Sequence, residues 1–183
     1  MDAFHFALTG EEKDYLKNCV KMRIAARLAG KAAAVPEPPT DKLREPYGAF
    51  VTLNLRGRLR GCIGHIIGDR PLFETIADMA EAAAFEDPRF PPLTREEFEA
   101  VTVEISVLSP LTPCPDPKLV EVGRHGLLMR RGRRSGLLLP QVPVEWGWDR
   151  ETFLGQTCRK AGMEPGCWKD PATQIFWFEA EVF

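Results

Sequence analysis

The stretch GAFVTLNLRGRLRGCI, residues 48–63, decides the fold class. Ala49, Val51, Leu53 and Leu55 alternate with Phe50, Thr52 and Asn54, the period of a half-buried strand over Gly48–Leu55. Arg56-Gly57 is a two-residue turn, and Arg58–Ile63 returns as the second strand of an antiparallel hairpin. The hairpin ends in Leu59-Arg60-Gly61-Cys62-Ile63-Gly64, a thiol between two glycines and two residues after an arginine.

Outward from the hairpin the pattern changes period. Upstream, Thr9 and Glu12 form a capping box, and Tyr15, Leu16, Cys19, Val20, Ile24 and Leu28 recur at helical spacing. A helix is predicted from Gly10 to Ala29, stopped by Gly30. Pro36, Pro38, Pro39 and Pro46 make the next stretch a surface connector rather than a core element. Downstream, Pro71 suits the first turn of a helix running to Phe85, whose inward stripe is Leu72, Phe73, Ile76, Met79, Ala80 and Ala83. Asp87-Pro88-Arg89-Phe90-Pro91-Pro92 breaks it, and Thr94 with Glu97 caps a shorter helix.

Val101–Leu108 alternates as a strand, followed by a loop with Pro110, Pro113, Pro115 and Pro117. Gly126–Arg130 and Ser135–Leu139 form a second hairpin around Gly132. Asp149 caps a helix through Lys160, with Gly162 as its stop. Gln174–Phe183 reads as one strand covered on both faces. Hairpins followed by helices, twice over, indicate α+β rather than a parallel βαβ sheet.

The 183 residues suit one domain or two tightly joined halves. A chain of this size buries roughly 70% of its unfolded surface and needs no disulfide or metal to fold. Its net charge of −2 steers it toward neither nucleic acid nor anionic membrane. No apolar run reaches membrane-spanning length. The opening MDAFHFALTGEEKDY does not read as a secretory leader. Five cysteines, at 19, 62, 114, 158 and 167, make an odd count with no CxxC pair. The expectation is a cytoplasmic protein with reduced thiols.

Cys62 is the first chemical candidate. A thiol attacks as the thiolate, so a catalytic cysteine needs a pKa below the free value of ~8.5. Arg60 and Arg58 fall on the same side of the strand as Cys62 if the pleat holds. Gly61 and Gly64 let a ligand approach the backbone, and their amides, with the helix starting near Pro71, could hold an anion. The plain alternative is a small apolar residue in a tightly packed turn.

His65 and His125 are candidate partners for the thiol, although each is as readily a structural histidine. Glu104, on the polar face of its strand, is a candidate acid or base if that face lines a cleft, and an ordinary surface carboxylate otherwise. Arg89 could pair an acid or a ligand, and Gln141, after Pro140, could orient one. The run Arg130-Arg131-Gly132-Arg133-Arg134, with Arg124 nearby, could bind RNA or nucleotide, but arginines at a hairpin turn need no special reason. No Walker loop, GxGxxG, HExxH, paired CxxC or cluster-binding cysteine triplet is present, so neither metal nor cofactor is expected.

These motifs, taken in order, carry a resemblance. LRGCIG is joined by Phe50-Val51-Thr52-Leu53, Ala82-Ala83-Ala84-Phe85, Asp87-Pro88-Arg89-Phe90, Glu104-Ile105-Ser106-Val107-Leu108-Ser109, Gly123-Arg124-His125-Gly126, Leu138-Leu139-Pro140-Gln141 and Lys160-Ala161-Gly162. The chain resembles the AmmeMemoRadiSam system protein A family, also called the AMME syndrome candidate family, over nearly its whole length. The resemblance implies an α+β fold of two related β-rich halves with packed helices in one compact unit, here a single domain 1–183 with the halves meeting near 109–118. It also implies a cytoplasmic protein, a functional centre at Arg60, Gly61, Cys62 and Gly64, and a pathway shared with a Memo-like protein and a radical S-adenosylmethionine protein. Three functions follow as expectations: an enzyme or enzyme component acting on a small molecule through Cys62, a non-catalytic module docking those partners, and an RNA- or nucleotide-binding regulatory factor.

Overall fold

A computed structural model of the chain describes residues 7–183. Part of the stretch read for a leader, residues 1–6, lies outside it. The fold is α+β, with two antiparallel four-stranded sheets. Residue contacts divide it into two units, one running through Leu108 and taking up Glu181–Phe183, the other Ser109–Ala180.

In the first unit, helix α1 (Gly10–Leu28) begins at the Thr9 capping box. The Thr9 hydroxyl accepts from the Glu12 amide, and the Glu12 carboxylate accepts from the Thr9 amide at 2.7 Å. Strands β1 (Gly48–Leu55) and β2 (Arg58–His65) form the expected hairpin. Arg56 and Gly57 have φ of 52° and 76°, the positive values that a two-residue turn between right-twisted strands demands. Helix α2 (Leu72–Phe85) follows, then α3 (Arg95–Phe98) inside a second capping box formed by Thr94 and Glu97. Strand β3 (Val101–Leu108) pairs with β1 along its whole length. The sheet order is β2-β1-β3-β8.

One face of this sheet carries Ala49, Val51, Leu53, Ile105 and Val107, all fully buried with Leu16, Ile24 and Ile76 of the helices. The alanines of α2 let it lie close to β2. A Cβ on Gly61 would stand 2.0 Å from the Ala83 carbonyl oxygen, so glycine is required there for packing. The proline-rich connector is not wholly superficial. A 3₁₀ turn at Asp41–Arg44 sends Leu43 into the core with no exposed surface, which the proline count concealed.

In the second unit, β4 (Thr112–Pro113), β5 (Gly126–Arg131), β6 (Arg134–Leu138) and β7 (Gln174–Phe178) form a sheet ordered β4-β7-β5-β6. Helix α4 (Gln141–Glu145), unforeseen because Pro143 interrupts it, precedes α5 (Arg150–Lys160). Asp149 caps α5 by accepting from the Thr152 amide at 2.8 Å, and Gly162 takes the left-handed conformation beyond it. The core holds Leu127, Met129, Phe153, Leu154 and Cys158.

Two expectations are corrected. Gln174–Phe178 belongs to the second sheet, whereas β8 (Ala180–Val182) joins the first. The strand is broken at Glu179, whose amide donates to the Ser109 hydroxyl and whose carbonyl accepts from the Ser109 amide. The expectation of reduced thiols fails for one pair. Cys158 and Cys167 form a disulfide, their Cα atoms 5.9 Å apart, because the turn after α5 folds the 3₁₀ segment Cys167–Lys169 back onto that helix. Cys19, Cys62 and Cys114 are free.

Candidate functional site

A hairpin closed by a two-residue turn pairs residues whose numbers share a constant sum. Leu55 with Arg58 and Asn54 with Leu59 obey it. Continued unchanged, the register would set Cys62 against Val51 and turn the thiol into the core. A β-bulge at Arg60 adds one residue to β2, so that Leu53 faces Gly61 and Thr52 faces Cys62. A one-residue slip exchanges the two faces of a strand. Cys62 therefore lies on the face opposite α1 and α2, half-buried, with its thiol free.

On that face three side chains form one row across three strands: Cys62 on β2, Thr52 on β1 and Glu104 on β3. The Thr52 hydroxyl donates to Cys62 Sγ at 3.3 Å. Cys62 uses its amide and carbonyl away from β1, so this is a non-hydrogen-bonded antiparallel pair, the kind whose side chains approach most closely. The next row is Gly64, Phe50 and Ser106. The Phe50 ring lies flat over Gly64, where a Cβ would meet it at 2.2 Å. Ser106 is buried, 1% exposed, and its hydroxyl has no hydrogen-bond partner among the described residues.

β2 is an edge strand, and at Cys62 the edge is sealed by the DPRF loop. Asp87 Oδ2 accepts from the Cys62 amide at 2.9 Å, and Arg89 Nη2 donates to the Cys62 carbonyl at 3.2 Å. Asp87 Oδ1 accepts from the Arg89 amide at 3.1 Å and from Nε at 2.9 Å, and Oδ2 accepts from Nη2 at 2.7 Å. The Asp87 side chain is 2% exposed. The hydrogen bonds from Arg89, aided by the Cys62 amide and opposed by burial, hold its carboxyl well below the usual carboxylate range. It is an ionised anchor that fixes the backbone beneath the thiol.

Arg60 lands elsewhere. The bulge takes it away from Cys62, and its buried guanidinium forks onto Glu97, Nε to Oε1 and Nη2 to Oε2, each at 2.9 Å. Nη2 also donates to the Pro91 carbonyl at 2.9 Å. The expectation that Arg60 and Arg58 share the side of Cys62 is corrected, since the bulge breaks the pleat between them and the thiol. Arg89, rather than Arg60, is the arginine bonded to Cys62, through its backbone carbonyl.

Gly61 serves packing against α2, whereas the Gly64 amide, by the alternation of the ladder, points to the same outer side of β2 as that of Cys62. His65 pairs across the sheet with core residue Ala49, and its Nε2 is 2.8 Å from Asp69 Oδ1.

His125 and Gln141 belong to the second unit. His125 is buried, its ring 4.4 Å from that of Trp177, and its Nδ1 accepts from the Glu121 amide at 3.0 Å. That bond leaves the proton on Nε2, and burial, with Arg124 adding to it, pushes the pKa down. Gln141 Oε1 is buried without a hydrogen-bond partner among the described residues. Most of the basic run is engaged: Arg130 with Gln174 and the Phe176 ring, Arg131 with Thr173 and Asp170, Arg134 with the Gly162 carbonyl. Arg124 pairs with Glu121 and Glu179. Among the described residues no three of His, Cys, Asp and Glu converge as a metal site needs, and no helix is long and apolar enough to cross a membrane.

Sequence reasoning missed Thr52 and Ser106. The signal for Thr52 was the alternation of β1, but its partner could not be named without the bulge.

A model of the AMMECR1 family matches residues 17–183. A protein of Thermococcus gammatolerans is 50% identical over 177 residues, covering 86% of each chain. One of Methanothermobacter thermautotrophicus is 43% identical over 96% of this chain and 95% of its own. The crystal structure of protein PH0010 from Pyrococcus horikoshii superposes with a TM-score of 0.90 at 42% identity, covering 96% of this chain and 92% of that one. The chain belongs to the AMMECR1 family. This agrees with the resemblance drawn from the sequence motifs.

Proposed function

We propose that the chain is an enzyme or enzyme component with a thiol-centred site at LRGCIG. The observation that carries this reading is the row Cys62, Thr52, Glu104 on one sheet face. Cys62 is the nucleophile or covalent carrier. Thr52 donates to its sulfur and orients it on the sheet face. Glu104 is the acid or base, exchanging the proton through the Thr52 hydroxyl or a water. In the covalent step the sulfur–carbon bond forms at an electrophilic carbon, the leaving group departs with the electron pair, and the thiol proton passes to Glu104 and on to the leaving group. His125, held by Glu121 and Trp177, serves structure in this reading. The family resemblance supports a cytoplasmic protein working beside a Memo-like protein and a radical S-adenosylmethionine protein.

The test uses p-nitrophenyl acetate as an activated ester. The wild-type chain should release a burst approaching one nitrophenolate per chain, with the acetyl group found on Cys62 by mass spectrometry. Cys62→Ser should abolish the burst, and Thr52→Val and Glu104→Gln should slow it about 10-fold or more. No burst, or one that survives Cys62→Ser, contradicts the reading.

A second reading, the docking module, draws on Leu59 and Ile67, 42% and 63% exposed at the two ends of β2. Leu59→Ser with Ile67→Ser would then abolish co-purification with the radical protein while leaving the ester reaction unchanged. Undiminished co-purification removes that reading.

A further inference from the structure

Arg89 has a donor to spare. Its Nε and Nη2 are committed to Asp87 and to the Cys62 carbonyl, whereas Nη1 makes no hydrogen bond to the described residues. The side chain is 53% exposed, yet its plane is fixed by those bonds and by the Phe90 ring 5.6 Å below. Asp87 lies buried behind it, so the outward end of the pair is the positive end. A guanidinium fixed in this way recognises carboxylate or phosphate with little loss of side-chain entropy.

The order of groups matters as much as the arginine. From the outer edge of β2 toward the middle of the sheet come a cation, Arg89, then the thiol of Cys62, the hydroxyl of Thr52 and the carboxylate of Glu104. The acidic group that faces the thiol thus stands across Thr52 from Arg89, and an anion beside Arg89 avoids it.

We infer that the site takes an electrophile bearing an anionic group, which Arg89 Nη1 seats at the β2 edge while the electrophilic carbon faces Cys62. This deepens the proposed thiol chemistry and rests on it.

Two alkylating reagents of nearly equal shape test it, iodoacetate (anionic) and iodoacetamide (neutral). In each the Cys62 sulfur bonds to the methylene carbon, iodide leaves and the thiol proton goes to solvent. Peptide mapping isolates the Cys62 rate. The expected result is an iodoacetate-to-iodoacetamide rate ratio at least 10-fold above that of the same cysteine in the urea-unfolded chain. Millimolar inorganic phosphate should lower the iodoacetate rate alone. Arg89→Gln should return the ratio to the unfolded value. A ratio that matches the unfolded chain, or that ignores both phosphate and Arg89→Gln, overturns the anion assignment and leaves the thiol reading standing. Failure of both reagents to modify Cys62 in the folded chain overturns the thiol reading and this inference with it. Phosphate competition on the wild-type chain decides the matter even if the variant does not fold.

Discussion

The amide of Cys62 donates to Asp87 Oδ2 at 2.9 Å, and Asp87 is turned to receive it by Arg89. The aspartate and arginine replace the missing neighbour of an edge strand, one accepting from the amide and the other donating to the carbonyl. Such sealing protects an exposed edge from pairing with another chain. It also fixes the backbone position that carries the Cys62 thiol.

Asp87→Ala should therefore do two things. Leaving the Cys62 amide and the Arg89 fork without their acceptor should cost about 3 kcal/mol of unfolding free energy in urea. It should also loosen β2, so that amide exchange at Cys62 rises relative to that at Val51. A loss of stability without faster exchange at Cys62 would separate the clamp from the thiol.

Arg60 makes the opposite prediction. Its guanidinium forks onto Glu97 and makes no bond to Cys62, so Arg60→Ala and Glu97→Ala should each destabilise, with a coupling of about 2 kcal/mol in a double-mutant cycle. The rate of the Cys62 ester reaction should fall less than twofold in conditions where both variants remain folded. A large loss of reaction in folded Arg60→Ala would return that arginine to the site.

Acid should weaken the first unit through the same two carboxylates. The Arg60 fork, then the Thr94 amide, holds Glu97 down to about 2 from an ordinary 4.5, and Asp87 is lowered further. Because both folded values lie below the unfolded ones, their stabilisation is present at neutral pH and fades as pH falls from about 4.5 toward 2. Glu97→Gln should flatten that limb of the stability curve. An unchanged acid limb would contradict the assignment.

The Cys158–Cys167 disulfide closes a short loop, nine residues of separation, worth about 2–3 kcal/mol by loop entropy. Cys158→Ala with Cys167→Ala should lower the thermal midpoint and leave the Cys62 ester reaction intact. No shift in midpoint would show that the bridge contributes nothing.

Much of this was legible from residue types alone. The capping boxes at Thr9 and Thr94, the strands Gly48–Leu55 and Val101–Leu108, and the cap at Asp149 have local causes, and they stand where their chemistry puts them. The failures have non-local causes. The bulge at Arg60 turns Cys62 outward and Arg60 away, and nothing in RLRGC distinguishes it from a regular pleat. The break at Glu179 is made by Ser109, seventy residues away in sequence. Leu43 is buried in spite of the prolines around it because the 3₁₀ turn at Asp41–Arg44 directs it inward. Gly61 and Gly64, which look alike in LRGCIG, answer to different neighbours, a helix carbonyl and an aromatic ring.

The bulge presents the free Cys62 thiol outward from the sheet. The most direct measurement is the rate at which iodoacetamide modifies each free cysteine in the folded chain, resolved by peptide mapping. Cys19 is 1% exposed within α1 and provides the internal reference for a packed thiol. Cys62 should react in the folded state at least 100-fold faster than Cys19. Equal protection of the two until the chain unfolds would contradict it, and Cys62 would then be a packing residue.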